Sequence, residues 1–250
     1  PFIFIELIFP DEKNRNTLEH YLNSDLSNAQ ILDWGIQFCY GMNHAFCRGV
    51  SPHRDIKPAN IMITRDKLLK ITDFGLAKIW DNQKLTTNDH SSKHELTLFE
   101  NSKGTLMSGT YEWMAPETFS GQADIRSDIY SFGVVLYQMV NKRKLPFNAE
   151  TQEKWKKAHQ NDEIPKVDSI IFPIITKCLA KDPNNRYNDF DELRKDLEEL
   201  YKKETDKSLY RPVNDIKLTK GIHLTKGYSY ERLGMADDAL RTYEEAKIMD

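Results

Sequence analysis

Four side chains of complementary chemistry lie close together in the sequence. Asp55, Lys57 and Asn60 fall in the run His53-Arg54-Asp55-Ile56-Lys57-Pro58-Ala59-Asn60, and Asp73 opens Asp73-Phe74-Gly75. A carboxylate such as Asp55, within hydrogen-bond reach of a hydroxyl, can orient that nucleophile and accept its proton late in a reaction. Lys57, two residues on, projects to the same side and can neutralise negative charge that develops on a transferred group. Asn60 supplies a neutral oxygen suited to a hard cation such as Mg²⁺, and Asp73, at a turn where Gly75 gives backbone freedom, aims a second oxygen at it. Pro58 stiffens the loop between these groups.

Those two motifs, followed by Ala115-Pro116-Glu117, match in order the catalytic-loop, metal-binding and activation-segment signatures of protein kinases. The chain therefore resembles the protein kinase family, and Lys57 is the pattern of its Ser/Thr type. Either short triplet alone arises readily in a surface turn; three in the right order, each beside a suitable hydrophobic run, are specific. The resemblance implies ATP and Mg²⁺ as cofactors and a protein Ser/Thr hydroxyl as acceptor, with Asp55, Lys57, Asn60 and Asp73 in the roles above.

It implies further roles. Backbone groups near Glu6 and Ile8, in the hinge, would meet the adenine edge, Met62 would form the floor of its pocket, and Lys57 would touch the transferred phosphate. Thr110 resembles the hydroxyl that hydrogen-bonds Asp55 and Lys57. His53 would stack on Phe74 rather than react, and Glu117, buried, would pair with Arg186. Asp128 would accept backbone N–H bonds from the catalytic loop, although an acid there is also an ordinary helix-cap choice. Arg54 and Lys78 would repel each other until a phosphate lay between them, so activation by phosphorylation is expected, at Thr105 or Ser108 by distance from Glu117. The plain alternative is that the hydrophilic stretch from Ile79 to Gly109 is only a polar loop.

The composition is that of an ordinary soluble chain: 250 residues, 39% hydrophobic and 29% charged. A net charge of -3 gives no electrostatic case for nucleic acid, which needs a basic face. Cys39, Cys47 and Cys178 form neither an even framework nor a CxxC pair, so reduced thiols are expected. Cys39, His44 and Cys47 fall within a helical run and lack zinc-ligand spacing. No apolar stretch has the length to cross a bilayer and no signal peptide is evident, which suggests a cytoplasmic protein and no membrane partner. The sequence opens at Pro1 directly into a strand-like run, as a chain does when something upstream has been removed.

Several elements must position the reactive groups. Phe2-Ile3-Phe4-Ile5 reads as a buried strand, Asp11 to Asn16 as a polar turn and Thr17 to Leu22 as a short helix. Ile31, Trp34, Phe38, Met42 and Ala45 recur at helical spacing, with Ser27 or Asn28 to cap, which predicts a long helix to about Arg48. Ile61-Met62-Ile63 and Leu68-Leu69-Lys70-Ile71 flank a turn and predict a β-hairpin. A buried helix is expected from Ser127, apolar almost all round, and others around Ala149–His159, Ile170–Leu179 and Phe190–Lys202.

The expected fold is mainly α: a protein-kinase-like C-terminal lobe with short β-hairpins, followed by a helical hairpin like a tetratricopeptide repeat. In domain terms this means hinge and C-lobe over residues 1–203, a linker over 204–219 and an incomplete first repeat over 220–250. Gly227, Tyr230, Gly234, Ala239, Tyr243 and Ala246 carry the repeat pattern, though His223 stands at its tryptophan-like first position. One repeat cannot bury its own face, so more should follow and would bind a protein partner. No G-x-G spacing occurs, and no strand carries the phosphate-pairing lysine; these belong to a small lobe that the sequence lacks, so the chain alone should be nearly inert. A pseudokinase, or an adaptor driven by the repeats, is the alternative; intact Asp55, Lys57, Asn60 and Asp73 argue against the first.

Overall fold

The computed structural model describes residues 8–47, 52–74 and 111–207, with Leu240 and Glu244. Glu6, Gly75, Lys78, Thr105, Ser108 and Thr110, the strand expected before Glu6 and the repeat pattern after Lys220 lie outside the described residues. The chain divides into two compact units, and every element from the turn at Asp11 to the helix ending at Thr205 belongs to the one spanning Ile8–Leu209.

The described elements begin with a polar turn organised by Asp11, whose carboxylate accepts from the backbone N–H groups of Lys13 and Arg15 and from the Tyr21 hydroxyl, each at 2.9 Å. One helical turn comes next, α1 (Leu18–Tyr21), opened by Thr17 and His20 in a reciprocal cap and burying Leu18 and Tyr21. The long helix α2 (Asn28–Cys47) starts where Ser27 Oγ accepts from the Gln30 N–H at 3.2 Å. Its spacing buries Ile31, Trp34, Phe38 and Met42, together with Leu32, Ile36 and Cys39. His44 is exposed while Cys39 is fully buried, and no group of three His, Cys, Asp or Glu that could hold a metal occurs among the described residues.

The hairpin pairs β1 (Ile61–Ile63) with β2 (Leu69–Ile71) antiparallel, Ile61 opposite Ile71 and Ile63 opposite Leu69. It is fixed to α2 by two side chains that reach across: Gln37 Oε1 accepts from the Leu69 N–H at 2.8 Å, and Trp34 Nε1 donates to the Lys67 carbonyl at 3.0 Å. Its other edge is held at the turn before α1, where the Ile63 N–H donates to the Asn16 carbonyl at 2.9 Å.

Helix α3 (Ile125–Val140) is the buried axis, with Ile129, Tyr130, Phe132, Val134, Val135, Leu136, Tyr137 and Met139 all in the core. It begins two residues before the expected Ser127. Asp124, not Asp128, caps it, accepting from the Arg126 N–H at 2.7 Å, so Asp128 faces inward from the first turn with its carboxylate free for another task. Phe132 of α3 stacks on Phe38 of α2 at 3.9 Å between ring centroids, and Phe38 meets Phe190 edge-on at 5.7 Å. Gly133 allows the closest approach: a Cβ there would lie 2.6 Å from Cys178 Cβ.

Three further helices complete the lobe: α4 (Gln152–Asn161), α5 (Phe172–Cys178) and α6 (Phe190–Thr205), the last running two residues into the stretch expected as linker before Asp206 ends it in the left-handed region. Helix α6 packs along α2, and α5 along α3. No helix among the described residues is long and apolar enough to cross a membrane.

Candidate active site

The loop from Pro52 to Asn60 is held to the core by one buried carboxylate. Asp128 Oδ2 accepts the His53 N–H at 2.7 Å and Oδ1 the Arg54 N–H at 2.9 Å. Arg54 sits at φ 69°, a conformation that a non-glycine residue holds only when its surroundings impose it. Burial pushes the Asp128 carboxyl up to about 7, against the pull of those two donors, each of which needs an acceptor oxygen.

His53 is the second support. Its Nε2 lies 3.0 Å from the Thr72 carbonyl, which can only accept, so Nε2 carries the proton and Nδ1 accepts from the Asp55 N–H at 3.3 Å. Burial lowers the imidazole pKa and keeps the ring neutral. Its centroid is 4.5 Å from that of Phe74. Both nitrogens are occupied by backbone, which leaves this histidine no free proton to exchange.

On this frame Asp55, Lys57 and Asn60 converge. Lys57 Nζ donates to the two Asp55 carboxylate oxygens at 2.9 and 2.8 Å. Asn60 Nδ2 donates to the Asp55 carbonyl and to Asp55 Oδ2, both at 2.8 Å, so the amide is oriented with its oxygen turned away from Asp55 and available to a cation. The Asn60 carbonyl in turn accepts from the backbone and hydroxyl of Thr72, at 3.0 and 3.1 Å. Asp73 therefore directly follows a residue, Thr72, that is tied to Asn60. It is exposed, at φ 61°, and has no hydrogen-bond partner among the described residues. A neutral amide oxygen and one free carboxylate fit Mg²⁺, which takes one or two protein ligands and leaves its other positions to phosphates and water.

Ile8 is buried, and Met62 is half-buried on β1, opposite Lys70 and bridged to Thr17. Arg54 Nε is buried without a hydrogen-bond partner among the described residues.

The corner at Ala115-Pro116-Glu117 is clamped by Arg186, whose five N–H donors all find acceptors. Two go to Glu117, at 2.7 and 2.9 Å, and three to the carbonyls of Ala180, Arg126 and Lys181. Ser127 Oγ donates to the same carboxylate at 2.6 Å. Burial opposes ionisation of Glu117, but these bonds outweigh it and hold its pKa below the usual range.

A groove of about 440 Å³ reaches Lys57, lined by Glu19, Leu22, Pro58, Glu112, Trp113 and Arg143 among others. Sequence reasoning missed what shapes it: Trp113 Nε1 donates to Gln138 Oε1 at 2.7 Å, and Arg143 pairs with Glu19 at 3.1 Å. It also missed His159, which hydrogen-bonds the Tyr111 carbonyl. Only the spacing of Trp155, Ala158 and His159 on one face of α4 could have pointed to that histidine.

A family model described as "Protein kinase domain" matches residues 4–198, and the chain belongs to that family. It is 33% identical over 183 residues to a probable serine/threonine-protein kinase of Clostridium acetobutylicum, covering 70% of this chain and 25% of the relative. It is 34% identical over 198 residues to the serine/threonine-protein kinase PknD of Protochlamydia amoebophila, covering 75% and 20%. PknB of Mycobacterium leprae is 29% identical over 208 residues, covering 79% and 30%. The chain thus spans between a fifth and a third of the length of these curated relatives.

Proposed function

We propose that this chain is the catalytic C-lobe of an ATP- and Mg²⁺-dependent enzyme that transfers the γ-phosphoryl group to a Ser or Thr hydroxyl of a protein. The observation that carries this reading is the junction of Asp55, Lys57 and Asn60 within hydrogen-bond distance, on a loop whose backbone is fixed from the core. Asp55 orients the acceptor hydroxyl and takes its proton, Lys57 offsets charge on the transferred group, and Asn60 with Asp73 would hold Mg²⁺ against the phosphates. That ion, when bound, shields the phosphate charge. Ile8, Met62 and the backbone near Glu6 would receive the adenine, and Thr110 would hydrogen-bond Asp55 and Lys57.

The regulation that fits is phosphorylation at Thr105 or Ser108, read by Arg54 and Lys78; the Arg54 Nε, buried without a hydrogen-bond partner among the described residues, supports the first half of it. Residues 220–250 would form a tetratricopeptide repeat that binds a protein partner, supported by residue spacing alone. A cytoplasmic location belongs to the same reading.

Phosphotransfer needs a Gly-rich lid and a phosphate-pairing lysine that this sequence does not contain, so the chain alone is inert or nearly so. The test is transfer of labelled γ-phosphate to a protein substrate by the full-length protein, with and without Asp55→Ala. Transfer that survives the substitution overturns the catalytic assignment. Transfer by the isolated chain, abolished by Asp55→Ala, overturns its inertness.

A further inference from the structure

Outside the loop around Asp55, the described residues contain another polar group that is fully buried and bonded on both sides. His159, on α4, has no exposed surface. Its Nε2 lies 2.9 Å from the Tyr111 carbonyl and its Nδ1 2.8 Å from the Tyr130 hydroxyl. The carbonyl can only accept, so Nε2 carries the hydrogen; Nδ1 then accepts from Tyr130. Around the ring stand Trp155 at 5.6 Å, Phe147 at 5.1 Å and Phe119 at 6.1 Å between centroids. Lys181 closes one end, its ammonium donating to the His159 carbonyl at 2.8 Å and lying 4.4 Å from the Phe147 centroid.

Tyr111 opens a short 3-10 turn, Tyr111–Trp113, whose next two residues, Glu112 and Trp113, line the groove that reaches Lys57. That turn is gripped from two directions. On the groove side Trp113 is bonded to Gln138 of α3. From the opposite side the turn's first carbonyl is bonded to His159. Without the second bond the carbonyl would lose its donor, and the turn could rotate about its Trp113 anchor.

We infer that His159 is a positioning residue for the protein substrate: as a neutral Nε2–H donor it fixes the Tyr111–Trp113 turn, and thereby the groove wall against which the acceptor polypeptide lies. This rests on the kinase reading above and adds to it a residue remote from the transferred phosphate. Aromatic packing alone would be equally served by phenylalanine; orientation of the turn would not. The two roles predict different outcomes for ring volume and for hydrogen bonding.

The test compares His159→Phe, which keeps an aromatic ring but no donor, with His159→Gln, whose amide can donate toward Tyr111 and accept from Tyr130. Each is assayed in the full-length protein with a Ser-containing protein substrate, and the imidazole nitrogens of the wild type are recorded by NMR. His159→Phe should raise KM for the protein substrate about tenfold, the effect of one lost hydrogen bond, with kcat and KM for ATP within about twofold. His159→Gln should recover most of that loss, and the wild-type spectrum should show the Nε2–H tautomer. An unchanged protein-substrate KM in His159→Phe, equal losses in both variants, or an Nδ1–H tautomer would overturn the inference. If His159→Phe does not fold, the glutamine variant and the tautomer decide. A wild type with no phosphotransfer at all would instead sink the kinase reading, while the tautomer would still report on the turn.

Discussion

Asp128 and Arg54 are joined by a hydrogen bond of 2.9 Å from backbone N–H to carboxylate, and the residue so held keeps a left-handed backbone that its side chain disfavours. The same carboxylate holds the His53 N–H at 2.7 Å. Asp128→Ala leaves two buried donors unpaired, at about 1–3 kcal/mol each. Asp128→Asn retains one acceptor and should lose roughly half as much. Urea unfolding of the chain measures both; equal destabilisation by the two variants would show that one remaining acceptor recovers nothing and that both carboxylate oxygens are needed.

Asp55→Asn keeps the shape of the junction with Lys57 and Asn60 but removes the proton acceptor. It should lower kcat of the full-length protein by at least about a hundredfold, the span of a lost general base. Asn60→Ala should raise the Mg²⁺ concentration needed for half-maximal rate, since one of two protein oxygens is gone. Titrating the rate against Mg²⁺ separates the two effects.

Arg186→Met removes a buried cation and strands Glu117, a loss of roughly 3 to 5 kcal/mol. The pair also has a pH signature. The folded pKa of Glu117 lies below its ordinary value of 4.5, so its contribution is present above 4.5 and is lost as the pH falls through the depressed value. Glu117→Gln should flatten stability in that acid range, measured as the urea midpoint against pH.

His159 gives a second, separate window. Burial holds its folded pKa at about 4 against an ordinary 6.5, and the facing Lys181 ammonium pushes the same way, while the bond to Tyr111 opposes them. The unfolded chain binds more protons between those values, so stability is fully present above 6.5 and falls as the pH drops toward 4. The loss is on the order of 3 kcal/mol for the full interval. Tyr130 is the other titratable group against the ring, and its own pKa is raised far above this range. Difference curves between wild type and His159→Gln over about pH 4 to 7 should show the slope in the wild type alone.

Gly133→Ala places a Cβ against Cys178 Cβ at 2.6 Å, backbone-proximal atoms that cannot swing aside. Forcing α3 and α5 apart should cost about 1–3 kcal/mol. A thermal midpoint equal to that of the wild type would mean that the two helices separate without penalty.

Much of this lobe can be read from local pattern. The spacing from Ile31 to Met42 marks α2, and Ile61-Met62-Ile63 with Leu69-Lys70-Ile71 marks the hairpin, because both depend on which face of a regular element is apolar. The start of α3 is less legible. Ser127 reads as its first residue, yet Asp124 and Ser127 cap one another around a start at Ile125, and Asp128 is released to bind the loop. Arg186 and Glu117 pair as the resemblance implies, but the three carbonyls that complete the guanidinium are not legible, since backbone acceptors carry no sequence signal. The role of His159 is illegible for a related reason: beyond its place on the buried face of α4, its partners are a carbonyl and a hydroxyl brought together only by tertiary packing.

The saturation of Arg186 has a mechanical result. Its planar fork touches the corner at Glu117, the first turn of α3 through Arg126, and the stretch from Ala180 to Lys181. With no hydrogen left over, the side chain cannot slide toward a new acceptor without dropping an old one, and lysine, with three donors on a single atom, cannot span the same points. These three segments therefore shift together or not at all, like stones locked by a keystone.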